Sequence, residues 1–228
     1  MTDDTHDADA GPIEIDVISD VMCPWCYIGK RRLEKALAML PGIEVDIRWR
    51  PFQLDHTIPE TGMDRQAYLR NKFGSDAEAA QVYEPVRAAG RAEQIPFEFE
   101  KIEVSPNTLN AHRIIRWAMA EGVQDGVVER LFQLYFIEGA NLTDKQVLAD
   151  AAVDAGIDRA VVEHLLAGDT DKAETQAEIA RIQQMGVTGV PAFIIGNRYA
   201  VLGAREPEVI AQAIQEVARE RALPAGNA

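Results

Sequence analysis

Apolar and polar residues alternate from Ile13 to Ser19, in a stretch rich in β-branched side chains. A period of two turns one face of an extended chain toward a core, so this stretch is expected to be a β-strand. After Pro24 the period changes. Gly29, Leu33, Ala36, Leu37 and Leu40 recur at helical spacing, and Pro41-Gly42 stops the run. Alternation resumes over Ile43–Trp49. The chain therefore opens as a β-α-β unit.

The next stretch is punctuated as a series of helices. Helical segments are expected from Asp64 to Gly74, Ser75 to Gly90, Ser105-Pro106 to Gly122 and Asp125 to Gly139. Three more run from Thr143 to Gly156, Asp158 to Gly168 and Asp169 to Gly186. Ser, Thr and Asp accept the free N–H groups of a first helical turn, and Gly tolerates the left-handed stop. Pro85 should kink or interrupt its helix, and Ile95–Val104 should be extended or irregular. Strand character returns in Val190–Ile195 and Tyr199–Leu202, joined by a Gly196-Asn197 turn. Pro207 then opens a last helix, with Val209, Ile210, Ala213, Ile214 and Val217 on one face. The order β-α-β, helices, β-β-α describes an α/β sheet domain interrupted by a helical insertion. The expected bounds are 13–58 and 186–221 for the discontinuous sheet domain and 59–185 for the all-helical insertion. Residues 1–12 and 222–228 are expected to be flexible tails.

Composition narrows the function classes. The chain has 228 residues, 47% hydrophobic and 26% charged, enough to bury a core without disulfide staples. Its 23 basic and 37 acidic side chains leave a net charge of −14, which argues against nucleic-acid or anionic-membrane partners. No apolar run approaches transmembrane length. Asp3, Asp4, Asp7 and Asp9 crowd the first residues, where no Lys or Arg forms a targeting signal. A cytoplasmic location is the expectation.

The two cysteines, Cys23 and Cys26, lie in one Cys-Pro-Trp-Cys motif at the first strand-to-helix junction. Unpaired N–H groups and the macrodipole favour negative charge at a helix N-terminus, and the thiolate is the reactive form of cysteine. Cys26, one turn further in, is close enough to close a disulfide. Cys23 is thus the candidate nucleophile and Cys26 the candidate resolving thiol. Half a zinc site competes, but His6, His56, His112 and His164 do not pair at ligand spacing, so no metal is expected. The serines (Ser19, Ser75 and Ser105) lack a nucleophile-elbow setting.

Asp20–Lys30, Trp49–Leu54, Asn107-Thr108 with Ala111-His112, and Gly186–Phe193 resemble the DsbA family of thioredoxin-fold proteins. Within it they are similar to the FrnE-like subgroup, whose relatives include 2-hydroxychromene-2-carboxylate isomerases and kappa-class glutathione transferases. The resemblance implies a thioredoxin fold interrupted by a large all-helical insertion. It also implies a cis-proline at Pro191 facing the cysteines, with Val190 presenting backbone to substrate. The isomerase and transferase relatives carry serine where this chain has Cys23. The transferases also have a Gly-Ser-Asp anchor for glutathione where this chain has Gly203-Ala204-Arg205. Both departures favour dithiol–disulfide exchange.

Three functions compete: a thiol–disulfide oxidoreductase acting on protein or small-molecule disulfides, a glutathione-dependent isomerase or transferase, and a non-catalytic binding module. No cofactor is expected, glutathione being admitted as a co-substrate, and a homodimer is compatible with the chain. Among lesser candidates, Trp25 is expected to contact substrate, whereas Trp49 and Trp117 belong to the core. His112 is expected to be a packed interface histidine or a groove residue, and His56 a loop residue. Asp16 or Asp20 could take a proton from Cys26. Lys30, Arg31, Arg32 and Lys35 are expected to form a solvated basic face. The insertion should form one wall of a cleft over Cys23.

Overall fold

The structure, a computed structural model, describes residues 11–222. The expected tails thus fall mostly outside the described residues. Four strands form the main sheet: β1 (Ile13–Ser19), β2 (Val45–Pro51), β5 (Ala192–Ile195) and β6 (Tyr199–Leu202), in the order β2-β1-β5-β6. β1 runs parallel to β2, with Val17 opposite Trp49, and antiparallel to β5, with Val17 opposite Phe193. Helix α1 (Pro24–Ala38) makes the crossover between the parallel strands. Helix α9 (Pro207–Ala222) packs beside α1 and buries Ile210, Ile214 and Val217, while Val209 of the expected apolar face stays partly exposed.

The sheet buries both faces. Ile13, Ile15 and Val17 join the main core with Ile28, Leu33 and Ile214. Ile18 and Ala192 meet Phe52 and Ile182 in a smaller cluster that includes helix α8 (Lys172–Gln184). This is a thioredoxin fold with a large helical insertion between β2 and β5.

The insertion holds α2 (Arg65–Phe73), α3 (Asp76–Ala92), α4 (Leu109–Ala120), α5 (Gln124–Gln133), α6 (Lys145–Asp154) and α7 (Arg159–Ala167), besides α8. It is helical apart from two two-residue strands, β3 (Met63–Asp64) and β4 (Val104–Ser105), which pair with each other. Asp64, Ser75 and Asp158 cap their helices through side-chain oxygens, as the pattern predicts. The starts expected at Asp125 and Asp169 are displaced: α5 begins at Gln124 and α8 at Lys172, neither with a side-chain cap. Three further expectations need correction. Helix α4 starts at Leu109 rather than at Ser105-Pro106, because Val104–Ser105 is spent on the small sheet. Asn107 turns the chain there, accepting the Leu109 N–H at 3.0 Å and donating to the Ile58 carbonyl at 2.7 Å. Pro85 does not interrupt α3. It lies on the exposed face, as does Gln81, whose carbonyl it leaves without an N–H partner and which water can reach. The run ending at Gly139 changes to a wider π-type turn over Leu134–Glu138.

The hairpin turn is as expected. Gly196 and Asn197 have φ of +59° and +57°, and the Arg198 N–H closes the turn on the Ile195 carbonyl at 3.1 Å.

Candidate active site

β1 ends at Ser19, and a tight turn delivers the chain to α1. The Cys23 N–H donates to the Asp20 carbonyl at 2.9 Å, and the Cys26 N–H donates to the Cys23 carbonyl at 3.0 Å. Cys23 is the N-cap residue of α1, with extended backbone, and Pro24 follows where a missing N–H costs nothing. Both cysteines are free thiols, Cys23 5% and Cys26 1% exposed. Trp25, between them, is half-buried.

The segment before β5 meets this turn from the other side. The Val190–Pro191 bond is cis. The Val190 carbonyl stands 3.8 Å from Cys23 Sγ, a contact across 167 residues of sequence. Pro191 rests on Gly29 of α1: a Cβ added to Gly29 would come within 2.8 Å of Pro191 Cγ. A glycine here lets the proline-bearing loop approach the helix that carries the thiols.

Burial pushes the Cys26 thiol well above its ordinary value, and the neighbouring Cys23 sulfur raises it further. Two groups act in the opposite sense: the Ser19 hydroxyl and the backbone N–H of Asp20, which favour a thiolate at Cys26. The Ser19 hydroxyl is buried and has no hydrogen-bond partner.

Asp20 and His112 meet beneath the turn. Asp20 is fully buried; its carboxylate accepts the Leu54 N–H at 2.7 Å, and Oδ1 stands 3.4 Å from His112 Nε2. His112 Nε2 is also 2.8 Å from the Phe52 carbonyl. A carbonyl only accepts, so Nε2 carries the proton. His112 is therefore the packed interface histidine, binding α4 of the insertion to the loop after β2. Asp16 is not at the thiols: it accepts from Arg50 Nε at 2.7 Å on the opposite sheet face. His56 is exposed in the loop after β2, Trp49 is buried with its ring N–H on Asp125, and Trp117 is only half-buried.

The basic run of α1 is the largest departure from expectation. Lys30 and Arg32 are buried, not solvated. Lys30 donates to Asp125 at 3.0 Å, Arg31 pairs with Glu129, and Arg32 and Lys35 bind Glu93 at 2.8 and 2.6 Å. Arg32 also donates to the Ala204 carbonyl at 2.6 Å. Each of these acids lies on or just after a helix of the insertion, so the run joins the sheet to its insertion. In the sequence they stand too far away for any local pattern to pair them with α1.

A strand-to-helix dithiol faced by a cis-proline loop defines a thioredoxin-fold dithiol protein. The model of the DSBA-like thioredoxin domain matches residues 14–215, and the chain belongs to that family. The family comprises thiol oxidoreductases, which act on disulfide substrates, and related isomerases. The crystal structure of the probable DsbA oxidoreductase SCO1869 from Streptomyces coelicolor is similar, at 30% identity and a TM-score of 0.84, covering 95% of this chain and 94% of that one. The uncharacterized protein YwbO of Bacillus subtilis (strain 168) is 26% identical over 92% of this chain and 99% of its own. The cytosolic disulfide reductase DsbM from Pseudomonas aeruginosa, solved with GSH, shares the fold at 15% identity and a TM-score of 0.64, covering 90% of this chain and 99% of its own.

Proposed function

We propose that this chain is a thiol–disulfide oxidoreductase working through Cys23 and Cys26. The carrying observation is the Cys23 sulfur at the helix N-terminus, 3.8 Å from the Val190 carbonyl of the cis-proline loop. In the reducing direction the Cys23 thiolate attacks one sulfur of a substrate disulfide and the other leaves as a thiolate. Cys26 then loses its proton and attacks Cys23 Sγ. The second substrate thiol is released, two electrons have passed to the substrate, and Cys23–Cys26 is left as a disulfide. The reverse sequence oxidises a dithiol.

Residue roles follow from position. Cys23 sits at the rim of the turn and Cys26 beneath it, so the first is nucleophile and the second resolves. Val190 offers its backbone to an extended substrate, Pro191 holds that backbone against α1, and Trp25 flanks the sulfur. We assign 13–58 and 186–221 to the sheet domain and 59–185 to the insertion, whose α4 reaches the active-site turn through His112. Glutathione is a natural co-substrate, and the cytoplasm is the compartment that suits such a dithiol. Among the described residues, no helix is long and apolar enough to cross a membrane.

The deciding experiment compares wild type, Cys23→Ser and Cys26→Ser in insulin reduction with glutathione as electron donor. Turnover by wild type and loss in both variants is the expected outcome. No insulin reduction alongside turnover of 2-hydroxychromene-2-carboxylate with glutathione would instead place the chain with the isomerases.

A further inference from the structure

A second site lies in the insertion, away from the thiols. A cavity of about 370 Å³ opens between α2, α3 and the turn at Phe99–Lys101, within the size range of small-ligand pockets. Neither cysteine, nor Trp25, Val190 or Pro191, lines it. One of its lining residues, Arg65, is only 4% exposed. Its guanidinium donates to the hydroxyls of Tyr135, at 3.1 Å, and Tyr83, at 2.7 Å. It has no carboxylate within 4 Å among the described residues. The acids that line the cavity, Asp76 and Glu100, are 69% and 71% exposed and are paired with Arg70 and Arg87. Positive charge is thus buried while negative charge stands toward solvent.

A buried cation without an anion is costly unless something neutralises it. Tyrosine hydroxyls satisfy guanidinium N–H groups, but they supply no charge. The Tyr83 oxygen accepts from Arg65 and has no acceptor of its own among the described residues, so its O–H remains free to donate. Arg65 and Tyr83 together offer a charge-assisted donor set, and Leu69, Ala79 and Phe99 add apolar wall.

We propose that this cavity binds a small organic carboxylate with an apolar body, its carboxylate on Arg65 and Tyr83 and its hydrocarbon against Phe99 and Leu69. It is a ligand site separate from the dithiol.

The test uses benzoate as probe and benzamide as its neutral isostere, on the full chain under reducing conditions. Calorimetry should give saturable benzoate binding, with a rise in unfolding temperature. Benzamide should bind at least about tenfold more weakly. Tyr83→Phe keeps the ring and removes the donor, and should weaken benzoate severalfold. Ala80→Phe, at an exposed position on the cavity wall, should abolish binding while Arg65 stays intact. Equal affinity for benzoate and benzamide, unchanged binding in Ala80→Phe, or no benzoate binding at millimolar concentration would each overturn the proposal. None of these readouts depends on redox activity, so they stand or fall apart from Cys23.

Discussion

Replacing Gly29 by alanine tests the contact that brings the cis-proline loop to the thiols. In a helix interior this exchange normally stabilises by about 1 kcal/mol, because glycine loses more backbone entropy on folding. At Gly29 the new methyl would meet Pro191 Cγ at 2.8 Å and Phe193 Cζ at 3.3 Å, whereas ordinary contact begins at 3.4 Å. Pro191 is buried against α1, its carbonyl held by the Gly203 N–H at 2.8 Å, and overfilling such a place costs about 1–3 kcal/mol. Gly126→Ala is the internal control: it lies within α5, and its methyl would meet only Ala155 Cβ, at 3.6 Å. The clash is therefore the difference between the two variants, about 1–3 kcal/mol, with Gly126→Ala more stable than wild type. In urea unfolding of the reduced proteins, at a slope of roughly 2 kcal/mol/M, the midpoints should differ by about 0.5–1.5 M. Gly29→Ala should also lose turnover, because displacing Pro191 moves the Val190 carbonyl relative to Cys23. Equal stabilisation by both substitutions, with turnover intact, would refute the idea that α1 sets the position of the loop.

Three further outcomes follow from the geometry. Cys26→Ser should accumulate mixed disulfides that Cys23→Ser does not, as read by mass spectrometry after disulfide challenge; equal trapping would sink the division of labour. The reduced protein should lose stability above about pH 9.0, the ordinary value of the thiol. Unfolding lets Cys26 ionise while the fold keeps it protonated, so stability falls by about 1.4 kcal/mol per pH unit. Cys26→Ser should lack that component, and identical pH profiles would show that the thiol is not held neutral. Glu93→Gln should cost about 1–2 kcal/mol by urea unfolding, since it removes the buried anion shared by Arg32 and Lys35 and leaves Arg32 only the more exposed Glu206, at 2.9 Å. The Arg32 and Lys35 charges hold Glu93 below its ordinary carboxylate value, so the wild-type advantage should fade as pH falls below about 4.5. A loss under 0.5 kcal/mol would mean that the pair merely breaks even.

Much of this was legible in the sequence, for definable reasons. The two-residue period of Ile13–Ser19 and the helical period after Pro24 have one physical solution each, and they leave Cys23 at the junction. Cap residues with side-chain oxygens located α2, α3 and α7 closely. Prediction weakened wherever a local signal competed with a distant partner. Ser105-Pro106 resembles a helix start, but Met63–Asp64 claims Val104–Ser105 for a strand. Lys30, Arg32 and Lys35 resemble a solvated stripe until α3 and α5 bring Glu93 and Asp125 against them. The role of His112 depends on the Phe52 carbonyl and Asp20, which neither composition nor spacing links to it. Arg65, one of three cations in α2 with Arg70 and Lys72, carries no sequence signal that sets it apart from them.

The contact between Cys23 and Val190 spans 167 residues, which bears on how the chain is made. Synthesis proceeds from the N-terminus at about 5–20 residues per second. Both thiols therefore leave the ribosome many seconds before the segment that will face them. Through that interval β1 lacks β5, its neighbour on one side, and the cysteines lack the loop that buries them. The nascent chain passes through a stage at which its thiols are chemically competent but unselective, open to any oxidant or stray disulfide. Selectivity arrives with the last strand pair, and so does protection.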